Sequence, residues 1–322
     1  MMRVLITGAS GFVGRELTQA LSQAGHPVRA AARNPSAITS GVNVEPLALP
    51  DLEQPVNWRP LLRDVDAVVH LAGLAHVSNE IAEERYDKIN RLATKSLALA
   101  ASMTPSIQRL VFVSSIRAQT GPASDHVLTE SDTPAPTDAY GRSKLAAEGF
   151  VRGYGVPATI LRPVVIYGPG ARANVAQLMK IAAQPLPLPF GAFSNKRSLL
   201  ALGNMISAIQ FVLEQPTTAG ETYVVADQTP LSLASMISIM RKANGRSPGL
   251  IPVPPDWIGK ALRTAGKADI WERISSSLAA DAAKLRAAGW KPPVDTPEAL
   301  AAMVKGFSSE VGTGSREENA SK

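Results

Sequence analysis

The 322-residue sequence contains no cysteine. That one absence excludes a disulfide scaffold, a thiolate zinc site and a cysteine nucleophile. Its four histidines are not closely spaced, so no metal site is expected. Aromatic residues make up 5% of the chain and no Lys/Arg run forms a basic arm. Nucleic acid is therefore not an expected partner, although 33 Lys+Arg stand against 27 Asp+Glu, a net charge of +6. The excess favours acidic small ligands held by a few arginines. No apolar run reaches the roughly 18 residues that span a bilayer. The stretch from Met1 to Gly8 is too short for a secretory apolar core and reads as a first strand, so a cytoplasmic location is expected.

What is present is globular: 45% hydrophobic and 19% charged residues. At roughly 150 residues per domain, the length suits two domains, or one large domain with an appendage. Short apolar runs at Val4–Thr7, Val28–Ala32, Val42–Leu49, Ala67–Leu71, Leu110–Val113 and Ala158–Leu161 read as strands. Between them, helical spacing marks Phe12–Gln23, a long helix from about Glu80 to Met103, and another from about Asp138 to Gly153. This alternation predicts an α/β fold with a doubly wound parallel sheet, Rossmann-like, and a smaller C-terminal substrate lobe. The boundaries expected are 1–162 for the sheet domain, with a segment near 195–227 returning to it, 163–307 for the lobe, and a disordered tail at 308–322. The apolar and basic stretch Trp257–Ile274 reads as a packing helix on the lobe's surface.

Thr7-Gly8-Ala9-Ser10-Gly11-Phe12-Val13-Gly14 falls where the first strand turns into the first helix. Glycines there let the backbone approach a pyrophosphate, and the helix start supplies free N–H groups. Gly8, Ser10, Gly11, Phe12, Val13 and Gly14 are thus candidate dinucleotide contacts. An NAD site usually has a carboxylate at the end of the second strand. Here the run ends Ala30-Ala31-Ala32-Arg33, and Arg33 can pair with a 2′-phosphate. NADP(H) is favoured and NAD(H) is the alternative, with an ordinary loop arginine as the lesser reading of Arg33. Asp51 and Leu52 are placed to line the adenine pocket, with a helix cap as the plainer reading of Asp51.

Tyr140 and Lys144 lie four apart on one helix face. An ammonium beside a phenol lowers its pKa from near 10, which equips the tyrosine to move a proton while hydride moves to or from nicotinamide. Lys144 can also hold the nicotinamide ribose. Ser114-Ser115 ends the preceding strand, where a hydroxyl can bond the reacting oxygen.

These pieces resemble the extended short-chain dehydrogenase/reductase family of nucleotide-sugar epimerases, dehydratases and 4-keto reductases. The matching motifs are the glycine loop, Asp51-Leu52, His70-Leu71-Ala72-Gly73, Asn90, Ser114-Ser115, Tyr140-x-x-x-Lys144, and Arg162-Pro163 with Tyr167-Gly168-Pro169-Gly170. The resemblance implies Ser115 as hydroxyl partner, Tyr140 as acid/base and Lys144 as its activator. It also implies that Leu71, Ala72, Gly73, Asn90 and Pro163 lie beside the cofactor. On the substrate side it implies Asn174 and Arg197 at the phosphates and His76 near the sugar. The implied substrate is a UDP-sugar altered at C4, by epimerisation or by reduction of a 4-keto-6-deoxy sugar. A homodimer is implied through the two long helices. Dehydration is disfavoured, because Ile116-Arg117 stands where dehydratases carry Asp-Glu. Val164-Val165-Ile166 replaces the asparagine of many C4 epimerases, and Gly203 replaces an acidic residue. The alternatives are an NADP-dependent reductase of a small carbonyl compound and a non-catalytic dinucleotide-binding protein.

Overall fold

A computed structural model describes residues 1–39, 41–75, 81–170 and 174–317, and the side chains of these except 174, 176, 269 and 307–317. Strands β1 (Val4–Thr7), β2 (Val28–Ala32), β3 (Val44–Ala48), β4 (Ala67–His70) and β5 (Arg109–Val113) enter one sheet. After a short β6 (Val127–Leu128), β7 (Ala158–Pro163) joins it; β8 (Val165–Tyr167), β9 (Lys196–Arg197) and β10 (Leu199–Ala201) do not; β11 (Thr222–Val225) completes it. The order is β3-β2-β1-β4-β5-β7-β11, and every pairing is parallel. The reversal of direction at β1 and β4 opens a crevice at the carboxyl ends of these strands, the usual ligand position in such sheets.

Both sheet faces are covered, which is why the central strands are continuously apolar. Val4 and Ile6 point to one core and Leu5 to the other. The first core packs under α1 (Phe12–Gln23) and, later in the chain, Leu202–Glu214. The second packs under α2 (Arg59–Leu62), a helix beginning with α3 (Glu83–Tyr86) and ending with α4 (Ala93–Ser102), and α5 (Ala139–Gly153). The long helix expected from residue 80 therefore starts at Glu83 and carries a π-turn at Asp87–Leu92. Such a turn inserts one residue into the helical ladder and often marks a functional position.

The lobe holds α6 (Asn174–Ala182), β12 (Leu231–Ser232), α8 (Leu233–Ala243), α9 (Pro255–Thr264), α10 (Ala268–Ser275) and α12 (Thr296–Glu317), with the Leu202–Glu214 helix, α7, between lobe and sheet. A third core gathers Phe193, Met236, Ile237, Met240, Leu300 and Val304. The last helix runs as far as Glu317, into the stretch read from composition as a tail. In the 257–274 stretch, Ile258, Trp271 and Ile274 pack onto this core while Trp257 stays exposed. The lobe is stitched back to the loop after β5: β13 (Ala279–Ala280) pairs with β6, and Ser124 N–H donates to Ser277 O at 2.8 Å. The short α11 (Ala283–Ala287) then packs beside β11. Among the described residues, no helix is long and apolar enough to cross a membrane.

Candidate active site

The glycine loop is built for close approach. Gly8 leaves β1 at φ +76°, and a Cβ there would lie 2.9 Å from the Ala72 nitrogen. A Cβ on Gly14 would lie 2.2 Å from the Gly8 oxygen. Gly11 caps α1 without any side-chain hydrogen bond, so the first-turn N–H groups are not taken by a cap. Arg33 is exposed just beyond β2. Arg29, the other cation of that strand, is already committed to Glu45 and to the carbonyls of Pro60, Leu61 and Arg63. Asp51 is exposed and its Oδ1 accepts the Glu53 N–H at 3.0 Å, a local turn contact, while Leu52 packs on the second core.

Asn90 sits in the π-turn and reaches two elements. Its Oδ1 accepts the Leu74 N–H at 2.8 Å, and its Nδ2 donates to Leu74 O and to Ser143 Oγ, each at 3.1 Å. It thereby ties the Leu71–Gly73 strip to α5. Gly73 is needed at this crossing: a Cβ would fall 2.8 Å from Asn90 Oδ1 and 3.9 Å from Lys144 Nζ. Beneath the strip His70 bridges Thr7 Oγ1 (2.7 Å) and Thr94 Oγ1 (3.0 Å). Burial first, and the Lys144 charge second, hold its pKa down at about 3, so it is a neutral strut.

Ser115, Tyr140 and Lys144 converge at the carboxyl end of β5. Asp138 caps α5, accepting the Gly141 N–H at 2.7 Å, and so starts the helix one residue before the tyrosine turn. The Tyr140 and Ser115 side chains are hydrogen-bonded to each other. Burial pushes the phenol up to about 12, against the pull of Ser115 and of the Arg117 charge. Lys144 is buried; its Nζ donates to Val113 O at 2.8 Å and lies 4.6 Å from the Phe112 ring centre. Burial lowers it to about 8, with the Glu148 carboxylate opposing. The Lys144 ammonium is turned to a backbone carbonyl, and Ser115 and Arg117 are the groups that ease ionisation of the phenol.

Sequence reading missed the residues beneath this set. Glu148 is fully buried, four residues past Lys144. It accepts from Ser114 Oγ at 2.6 Å, from Arg162 Nε at 2.9 Å and Nη2 at 2.7 Å, and from Arg152 at 2.9 Å. Arg162 also reaches Gln119 Oε1 at 2.9 Å. A usable signal existed: Tyr140, Lys144 and Glu148 form a polar stripe at helical spacing. Tyr86, whose ring centre lies 5.9 Å from that of Tyr140, carried no such signal.

On the lobe, Arg197 follows Asn195 and lines a cavity of about 210 Å³ with Arg273, Gln177 and mostly apolar side chains. Its guanidinium donates to Ser276 Oγ; burial, with the Arg117 charge second, lowers its affinity for its proton. Arg197 Nε and Asn195 Oδ1 are buried with no hydrogen-bond partner among the described residues, which suits a site made to receive a polar ligand. Pro163 ends β7 at the crevice, and Val164-Val165-Ile166 continues from it as apolar chain. Gly203 opens into a second cavity, of about 500 Å³, with room for a side chain. His76 lies outside the described residues, as does the side chain of Asn174, whose backbone starts α6. No group of three His, Asp or Glu side chains converges as a metal site needs among the described residues.

The residues present fit a dinucleotide. Glycines whose Cβ atoms would strike backbone line the loop, an uncapped helix start faces it, and Asn90 and Lys144 sit at the far end of the same strip. The family model described as the NAD dependent epimerase/dehydratase family matches residues 4–226. A UDP-glucose 4-epimerase of Vibrio cholerae is 31% identical over 94% of this chain and 95% of its own. Among solved structures, MoeE5 in complex with UDP-glucose and NAD superposes with a TM-score of 0.74 at 23% identity, covering 96% of this chain and 99% of that one. A UDP-glucuronic acid 4-epimerase from Bacillus cereus in complex with NAD gives 0.75 at 22% identity, covering 94% and 95%.

Proposed function

The chain belongs to the NAD dependent epimerase/dehydratase family, and on that premise we propose that it acts at C4 of a UDP-hexose or UDP-N-acetylhexosamine derivative. The reaction is 4-epimerisation or reduction of a 4-keto-6-deoxy sugar. The observation that carries this reading is the Ser115–Tyr140 hydroxyl pair, with Lys144 one turn on, at the crevice mouth beside the glycine loop.

The dinucleotide, when bound, supplies hydride exchange at the sugar carbon. Gly8, Gly11, Gly14, Asn90 and Lys144 would hold it. In the proposed chemistry Ser115 donates a hydrogen bond to the C4 oxygen and Tyr140 moves the proton to or from that oxygen. Lys144 supplies a fixed positive charge beneath, and its burial excludes water from the same pocket. Arg197 offers a two-pronged donor to the diphosphate, for which a guanidinium is suited. Relatives solved with NAD support NAD(H) as a cofactor, and Arg33, with no carboxylate ending β2, supports a preference for NADP(H). The apolar residues Leu92, Leu99 and Met103, exposed along one helix, are the surface on which we place a homodimer contact.

The test is turnover. The protein is incubated with UDP-glucose, UDP-N-acetylglucosamine and a UDP-4-keto-6-deoxy-N-acetylhexosamine, with nicotinamide absorbance and C4 configuration followed. Tyr140→Phe should cost on the order of 100-fold or more in kcat. No turnover of any of the three would end the proposal. UDP binding unchanged in Arg197→Ala would favour a small carbonyl substrate instead.

A further inference from the structure

Arg117 enters the sequence reading only as a departure from the dehydratase pattern, yet it contacts both Ser115 and the start of the helix that carries Tyr140. It lies in the single 3-10 turn Ile116–Ala118 that follows Ser115. Its N–H donates to Ser115 Oγ at 3.1 Å, fixing the serine's rotamer from behind. Its guanidinium makes an ion pair with Asp138 Oδ2, and both side chains are largely buried. The other oxygen of Asp138 caps the helix that begins one residue before Tyr140. The Arg117 carbonyl rests directly on that helix: a Cβ on Gly141 would lie 2.2 Å from it. Two links therefore fasten the serine's turn to the tyrosine's turn, the ion pair and the carbonyl seated against Gly141. Arg117 Nε is buried with no hydrogen-bond partner among the described residues.

We propose that Arg117 is a positioning residue for Tyr140: through Asp138 it locks the Ser115 turn to the start of the catalytic helix and holds the two hydroxyls in register. The proposal rests on the acid/base reading of Tyr140. The same pair sets the charge around the phenol. Among the described residues, the groups facing Tyr140 are Ser115 and Arg117 from the turn, Tyr86 from α3, and Asp138 from its own helix, with Lys144 one turn further on. Arg117 eases ionisation of the phenol and Asp138 opposes it. The two members of the ion pair act on the phenol in opposite senses, Asp138 the more strongly, so removing either one alone shifts it in a predictable direction.

That opposition gives a test that loss of packing cannot mimic. Arg117→Met leaves Asp138 uncompensated, and the Tyr140 ionisation midpoint should rise. Asp138→Asn keeps a good cap and removes the opposing charge, so the midpoint should fall. Arg117→Lys should return it towards the wild-type value. The readout is 19F NMR of protein labelled with difluorotyrosine, whose more acidic phenol titrates in an accessible range; Tyr140→Phe assigns the resonance. This needs no substrate, so it stands even if no UDP-sugar is turned over, an outcome that would fail only the functional reading. With an active substrate, Arg117→Met should lower kcat by about 10- to 100-fold with KM nearly unchanged, Arg117→Lys recovering part of the loss. Midpoints that move the same way in Arg117→Met and Asp138→Asn, or do not move, overturn the proposal.

Discussion

Replacing Glu148 by glutamine should destabilise the protein far more than a one-atom change suggests. The carboxylate is fully buried and takes four hydrogen bonds on two oxygens, two of them from Arg162, which is 3% exposed. Glutamine keeps the shape but presents an NH2 where donors converge, so at least one guanidinium N–H is left facing another donor. The Arg162 charge then has only the Gln119 amide oxygen to answer it. Removing one partner of a buried pair costs about 3–5 kcal/mol, because the other charge stays in the interior. The arm to Arg152 adds little, since that side chain is 43% exposed and solvent screens it. With an unfolding entropy of about 2.1 cal/mol/K per residue, a loss of this size lowers Tm by about 4–7 °C in a chain this long.

The assay is thermal and urea unfolding of Glu148→Gln, Glu148→Met, Arg162→Met and the double variant Glu148→Met with Arg162→Met. Each single change should be costly. The double change should cost less than the sum, because an apolar pair leaves no orphaned charge. Glu148 also supports protonation of Lys144, so in Glu148→Gln the lysine should titrate below its value of about 8. A Tm within about 1 °C of wild type for Glu148→Gln, or strict additivity in the cycle, would refute the reasoning.

Three further outcomes follow from the same geometry. His70 is neutral in the fold, with a pKa of about 3 against 6.5 when unfolded. Its contribution is complete above pH 6.5 and is lost as pH falls towards 3, with a slope of up to about 1.4 kcal/mol per pH unit; urea midpoints between pH 7.5 and 5 should fall less steeply in His70→Asn, and equal slopes would contradict this. Gly14→Ala puts a Cβ 2.2 Å from a backbone oxygen, whereas Gly11→Ala meets one at 3.1 Å. Dinucleotide affinity measured by fluorescence should therefore collapse in Gly14→Ala, by about 100-fold, and only weaken in Gly11→Ala. Arg33→Ala should raise the Kd for NADPH about 10-fold and leave that for NADH unchanged, as expected for one exposed charge-assisted contact; parallel effects on both cofactors would remove Arg33 from the 2′-phosphate.

The sheet was legible because its central strands are runs of mostly apolar residues buried on two sides, and such runs need no context to be read. Val4–Thr7 and Ala67–His70 are examples, and their order follows from alternation with helices. The two-residue strands of the lobe could not be read this way. Lys196–Arg197 is extended only because Leu231–Ser232 and Leu278 pair with it, from 34 and 81 positions away in the order of the chain. The π-turn at Asn90 was hidden for a similar reason. Its sequence has ordinary helical spacing, and the extra residue is explained by where the Asn90 amide ends up, between Leu74 and Ser143.

The candidate site divides along the same line. Tyr140 and Lys144 show in the sequence because one helix carries both at fixed spacing. What Lys144 does cannot show there, because it depends on Val113 O and the Phe112 ring, which come from another strand. Ser114 and Ser115 look interchangeable in the chain, yet strand alternation sends them opposite ways. Ser115 meets Tyr140 at the crevice, and Ser114 meets Glu148 in the interior. The second contact fixes the height of β5 against α5, and so sets where the first can form. Stability at Glu148 and chemistry at Tyr140 are coupled through those two adjacent serines. Ser114→Ala, which touches no reacting group, should therefore lower kcat while Ser115→Ala leaves Tm nearly unchanged, and a Ser114→Ala protein of full activity would break that coupling.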